Sequence, residues 1–142
     1  MSLTRFQKIA LSIAGITAFA IGAFILFAPH AFYANYGIAL GQDPNLLSEL
    51  RAPGAGLTVL GAIMLSGLVR AEWAPVAFVA ALTVYLAFPV GRVISLAVDG
   101  MPSGSVLGAF AIEVVIAGLC VAALVRRRAH ETTRDPLAGQ PS

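Results

Sequence analysis

The sequence predicts an all-α integral membrane protein: a four-helix transmembrane bundle with both termini in the cytoplasm. Three observations carry the prediction. The 142 residues are 58% hydrophobic and only 11% charged, whereas soluble domains are about a quarter charged. Four apolar runs, at about 9–28, 50–69, 74–96 and 105–125, are each long enough to cross a hydrocarbon core of roughly 30 Å. The basic residues are distributed unevenly between the two sides of that threading. Arg5, Lys8, Arg70, Arg126, Arg127, Arg128 and Arg134 fall on one side, and Arg51 and Arg92 lie in or beside the spans. The positive-inside rule assigns the basic side to the cytoplasm.

The same composition excludes several function classes. The chain has room for one compact domain. A formal charge of +2 is too small and too scattered for a nucleic-acid-binding surface. A single cysteine, Cys120, rules out an internal disulfide and any cluster of thiolate ligands. No Gly-rich phosphate loop, paired-histidine motif or nucleophile elbow occurs, so no catalytic residue, metal or cofactor is assigned.

Taken in order, Met1–Lys8 is a short basic lead. The uncharged run Ile9–Ala28 is longer than a signal-peptide core of about 7–15 residues and reads as a span. Ala14, Ala18 and Gly22 repeat at four-residue spacing and give it a smooth strip for a neighbouring helix. In the connection 29–47, Tyr33 and Tyr36 suit a membrane–water interface, and Asp43-Pro44 is a helix start. The second helix is therefore expected to begin near Pro44, with a kink or break at Pro53, which frees the carbonyl of Glu49. Arg70-Ala71-Glu72-Trp73 forms a tight charged turn. The third run contains Pro89, Gly91 and Arg92, and the stretch 98–103 is a turn. The fourth run carries Glu113 and stops at Arg126–Arg128. Residues 129–142 read as a disordered cytoplasmic tail.

Ionisable residues inside a bilayer are costly and mark candidate sites. On this threading Arg92 lies just below the outer interface, with Glu113 roughly 12 Å below it. Arg92–Glu113 is the expected pair, with Arg51 as a competing partner. Glu49 and Arg51 are two residues apart, about 200° around a regular helix, and face different ways. The candidate ligand-binding set is Glu49, Arg51, Arg92, Glu113 and Asp99, forming a polar pocket in the outer half of the bundle. Asp99, placed in the turn, also reads as turn chemistry.

Phe32-Tyr33, Tyr36-Gly37-Ile38, Glu49-Leu50-Arg51, Gly91-Arg92 with Ser95, Asp99-Gly100 with Pro102-Ser103, and Glu113 occur in an order and spacing that resemble the domain-of-unknown-function 4345 family. The resemblance covers about 4–125 and implies a small four-helix protein of the bacterial plasma (inner) membrane. It implies no reaction, because the family carries no assigned activity. A looser likeness to the DoxX-like four-helix proteins rests on fold analogy alone.

Two roles compete for the charges. One is a structural ion network that fixes helix register. The other is a site for an amphipathic or anionic small molecule, as in a binding or transport-accessory protein. A structural or assembly subunit of a larger membrane complex is the alternative whole-protein role, and a second copy of the chain, as in a homo-oligomer, is a further candidate partner. The small-residue strips of the first, second and fourth spans would then face partners. The lipid bilayer is the surrounding partner in every case, and Arg126–Arg128 suit anionic headgroups.

Overall fold

The computed structural model describes residues 2–134, with backbone alone for 130–134. Its elements are α1 (Arg5–Phe27), α2 (Pro29–Ala34), α3 (Pro44–Val69), a 3-10 turn (Ala71–Trp73), α4 (Ala74–Val98) and α5 (Gly104–Arg134). No strand occurs among the described residues. Among the described residues four helices are long and apolar enough to cross a membrane: Arg5–Phe27, Pro44–Val69, Ala71–Val98 and Gly104–Ala129. The last helix runs on through Arg134, so the first residues assigned to a tail are helical. The rest of that expected tail, 135–142, lies outside the described residues.

Local chemistry sets the helix boundaries. Thr4 opens α1 with a capping box: Gln7 N donates to Thr4 Oγ1 at 3.2 Å, and Thr4 N donates to Gln7 Oε1 at 3.1 Å. Pro29 closes α1, because it has no N–H to offer the carbonyl four residues back. Asp43 caps α3 by accepting from Asn45 N at 3.0 Å, with Pro44 in the first helical position. The expected break at Pro53 does not occur, and α3 is a continuous helix across it. Glu49, whose carbonyl the proline frees, is an exposed residue, and so is Pro53. The lost bond therefore disturbs no packed contact.

The main packing interface is that of α1 with α3, which run antiparallel. A Cβ built on Gly15 would lie 2.8 Å from the Leu65 side chain, and one on Gly54 would lie 2.8 Å from Ile25. A Cβ on Gly61 would fall onto the backbone of Phe19, and one on Gly22 onto the backbone of Thr58. As the α1 position advances, its α3 partner steps back, which is the antiparallel register. The strip of Ala14, Ala18 and Gly22 is buried in the bundle, together with Leu11 and Gly15. Close backbone approach is what small residues offer in a bilayer, where lipid tails are as apolar as leucine and dispersion contacts drive association.

The remaining helices complete a ring in which α4 packs between α3 and α5, and α5 returns to α1. Packing is densest toward the end where α1 begins. There Leu11, Met64, Ala77, Phe78, Ala81, Cys120 and Ala123 form a continuous core. Gln7 is 2% exposed and donates through Nε2 to the carbonyl of Ala123 at 3.3 Å. The guanidinium of Arg126 lies 4.8 Å from the centre of the Phe6 ring. Arg5 and Lys8 in the first turns of α1, Arg70 after α3 and Arg126–Arg128 within α5 gather on this side. Along α4, burial ceases after Tyr85, and along α5 it begins only at Ile116. The other half of the bundle is open between those two helices and α1. Outward-facing Ile9, Ile16, Val79, Val90, Val115 and Val121 leave an apolar exterior suited to lipid.

Gly61→Val should overpack the α1–α3 contact, at a cost of about 1–3 kcal/mol or more. Gly118→Ala, where a Cβ meets nothing within 4 Å, should be neutral or mildly stabilising. Thermal unfolding of the detergent-solubilised protein, followed by circular dichroism, separates the two.

Candidate functional site

Two charged side chains meet in the open half. Arg92 is six residues before the end of α4 and Glu113 nine after the start of α5. At about 1.5 Å per residue they lie about 9 and 13 Å from those ends. The helices are consecutive and antiparallel, so the residual offset is within an arginine side chain's reach. Arg92 Nε donates to Glu113 Oε2 at 2.8 Å, and Nη2 donates to Oε1 at 2.8 Å. This is the two-point fork that guanidinium and carboxylate form best. Side-chain exposures of 27% for Arg92 and 15% for Glu113 make the pair partly accessible rather than buried.

The pair lines a cavity of about 1030 Å³. Its inner end is closed by Tyr85, which is 3% exposed and donates its hydroxyl to the carbonyl of Ala14 at 2.7 Å. Ala18, Leu57 and Val84 line the cavity beside it. Seven residues separate Tyr85 from Arg92, about two turns on one face of α4. Residues of α1 from Thr17 to Ile25 and of α5 from Ser105 to Glu113 line opposing walls, so the cavity separates those helices. The remaining wall is aromatic. Phe32 packs edge-on against Phe24 and Tyr33, at ring-centre distances of 5.5 and 5.2 Å, and lies 5.2 Å from Tyr36. Gly37, at φ +74°, turns the chain after α2. His30 Nε2 contacts the carbonyl of Gly41 at 3.2 Å and ties the loop back.

The other three candidates lie apart from this pair. Arg51 donates through Nη1 to the carbonyl of Leu26 in the last turn of α1, and is not the competing partner for Glu113. A cation at a helix C-terminus satisfies an orphan carbonyl and the negative end of the helix dipole together. Arg51 also borders a separate, shallow groove of about 560 Å³ with Ser48 and Leu26. Glu49 is exposed and lines neither this groove nor the cavity. Asp99 accepts from Ser95 Oγ at 2.9 Å and follows the last turn of α4, consistent with turn chemistry. Arg92 and Glu113 are thus brought together, and Glu49 and Arg51 are not part of their cluster.

The sequence reading missed Gln7 as a buried link and Phe32 as the hub of the aromatic wall. Thr4 three residues before Gln7 is the legible half of that link, through the capping box. The contact with Ala123 spans 116 positions and leaves no local signal. Among the described residues, no three of His, Cys, Asp and Glu come together in a metal-binding group. The Tyr33 hydroxyl is held above its ordinary phenolic range, first by burial and then by the neighbouring Tyr36.

Fold and site together define a small four-helix membrane bundle with a polar pair set in a mostly apolar cavity. The family model described as domain of unknown function DUF4345 matches residues 6–124, and the chain belongs to that family. No curated protein and no solved structure matches it significantly.

A double-mutant cycle on Arg92→Ala and Glu113→Ala should give a coupling of about 1–3 kcal/mol, and Arg92→Lys should recover little of it, since an ammonium cannot form the fork. Chemical unfolding in mild detergent is the measurement. Tyr33 should ionise above the ordinary range. Its raised folded-state value means that its contribution to stability is complete below that range and lost as pH rises through its own transition. An ultraviolet phenolate titration should show the transition moving down in Tyr36→Phe.

Proposed function

We propose that the protein is a binding or transport-accessory protein of the bacterial inner membrane that holds the polar group of an amphipathic molecule in the Arg92–Glu113 cavity. The observation that carries this reading is the position of an accessible, bidentate charge pair on the wall of an otherwise largely apolar cavity. A pair serving register alone has no need of such a space beside it, whereas ligand sites combine apolar walls with a few placed polar groups. Four spans with no evident inverted repeat argue against a stand-alone alternating-access pump.

In this proposal the basic end lies in the cytoplasm, because positive residues collect there, and the cavity belongs to the outer half of the membrane. Tyr33 and Tyr36 then sit near the outer interface, where aromatic rings with a wet tip are favoured.

Assembly into a larger complex is the alternative, and it draws support from α5. The small-residue strips of α1 and α3 pack against each other inside the bundle. A Cβ on Gly118 of α5 meets nothing within 4 Å, and this span is the least buried of the four.

Protein withdrawn in discs of native membrane should retain a small amphiphile identifiable by mass spectrometry, and Arg92→Gln should lose most of it. An empty wild-type cavity, with Arg92→Gln changing only stability, overturns the proposal. Recovery of a discrete complex with other chains favours assembly. A reporter fused after Ser142 should be active only in the cytoplasm.

A further inference from the structure

We infer that the cavity selects an amphiphile with an uncharged head that carries a hydrogen-bond acceptor, and discriminates against the corresponding anion. This deepens the proposed function and rests on it. An arginine inside a membrane suggests an anion site, but the geometry around Arg92 opposes that use. Both oxygens of Glu113 accept from the guanidinium, at 2.8 Å each, as an ionised carboxylate does. The fork cancels the positive charge at close range. An incoming carboxylate would be attracted by Arg92 and repelled by Glu113 at similar distances, and its loss of hydration would go uncompensated.

Donors remain available after the charge is neutralised. Arginine has five N–H groups, and the fork engages only Nε and one hydrogen of Nη2. Among the described residues no protein group accepts from Nη1 of Arg92, although Arg92 lines the cavity. No side-chain nitrogen or oxygen is both buried and unpartnered there, so Nη1 is not sealed away. A neutral carbonyl or amide oxygen can accept from Nη1 without disturbing the fork. The second lone pairs of the Glu113 oxygens can in turn accept an N–H or O–H from the same head. The tail would run along Ile21, Phe24, Leu57, Val84 and Phe110, which line the remainder of the space.

The test uses the full chain in lipid discs with two probes of one chain length, oleamide and oleate, at a pH where oleate is ionised. Saturable binding is measured over discs carrying Gly91→Trp, which fills the cavity from a wall position with nothing within 4 Å of its Cβ site. Wild-type protein should prefer oleamide by about tenfold. Glu113→Gln removes the countercharge and keeps the shape, so the preference should reverse toward oleate. A wild-type preference for oleate overturns this inference and leaves the cavity as a binding site. Equal binding of the two probes also overturns it. If neither probe binds above the Gly91→Trp discs, the proposed function fails as well. The wild-type comparison decides by itself if Glu113→Gln does not fold.

Discussion

Backbone-to-backbone contact between α1 and α3 is the constraint on which the rest of the bundle depends. In lipid, burying leucine against leucine brings little advantage over leaving it in acyl chains, so association relies on the density of contact. Gly22, Gly54 and Gly61 let the two helices approach until backbone meets backbone or the first atoms of a side chain. Gly67 lets the 3-10 corner fold back, since a Cβ there would lie 2.6 Å from that of Ala77. With this pair fixed, α4 is seated on α3 by the short turn after Val69, and α5 needs firm attachment at one end only. Gln7 to Ala123, and Phe6 under Arg126, supply it.

That arrangement explains why the protein can contain a large cavity at all. Dense packing at the basic end holds the helices at fixed spacing, while beyond Tyr85 and Ile116 the cavity parts α4 and α5 from α1. The hydroxyl of Tyr85 reaching Ala14 marks the boundary between the halves. Arg92 and Glu113 lie on the open side of it, where their fork bridges α4 and α5 across a stretch with few packed contacts. The pair therefore does two jobs: it sets the distance between two helices, and it gives the cavity its polar character.

Much of the architecture was legible because membrane solvation leaves strong local marks. The number of long apolar helices and their approximate limits follow from apolar length, and Asp43-Pro44 marked the start of α3. The Arg92–Glu113 pair was legible too, because consecutive antiparallel helices bring similar depths together. The membership of Glu49 and Arg51 in that cluster was not. Depth along the membrane can be estimated from sequence, but rotation about the helix axis and the neighbour on each face cannot. Arg51 is drawn to Leu26 because Pro29 ends α1 beside it, a consequence of packing between helices. The continuity of α3 through Pro53 was hidden for a similar reason: a proline's effect depends on which face carries it.

The short connection between α4 and α5 has a consequence for how the protein enters the membrane. Arg92 and Glu113 sit on successive spans joined by a turn in which Gly100 adopts a φ of +98°. Either charge alone would oppose partitioning by about 2.5–3.5 kcal/mol at a helix centre. Inserted together as a hairpin, the two spans can close their fork while still at the translocation machinery, and neither charge has to face acyl chains unaccompanied. The contact that shapes the finished cavity thus also lowers the cost of placing two charges in an apolar surrounding, because they enter it as one neutral pair.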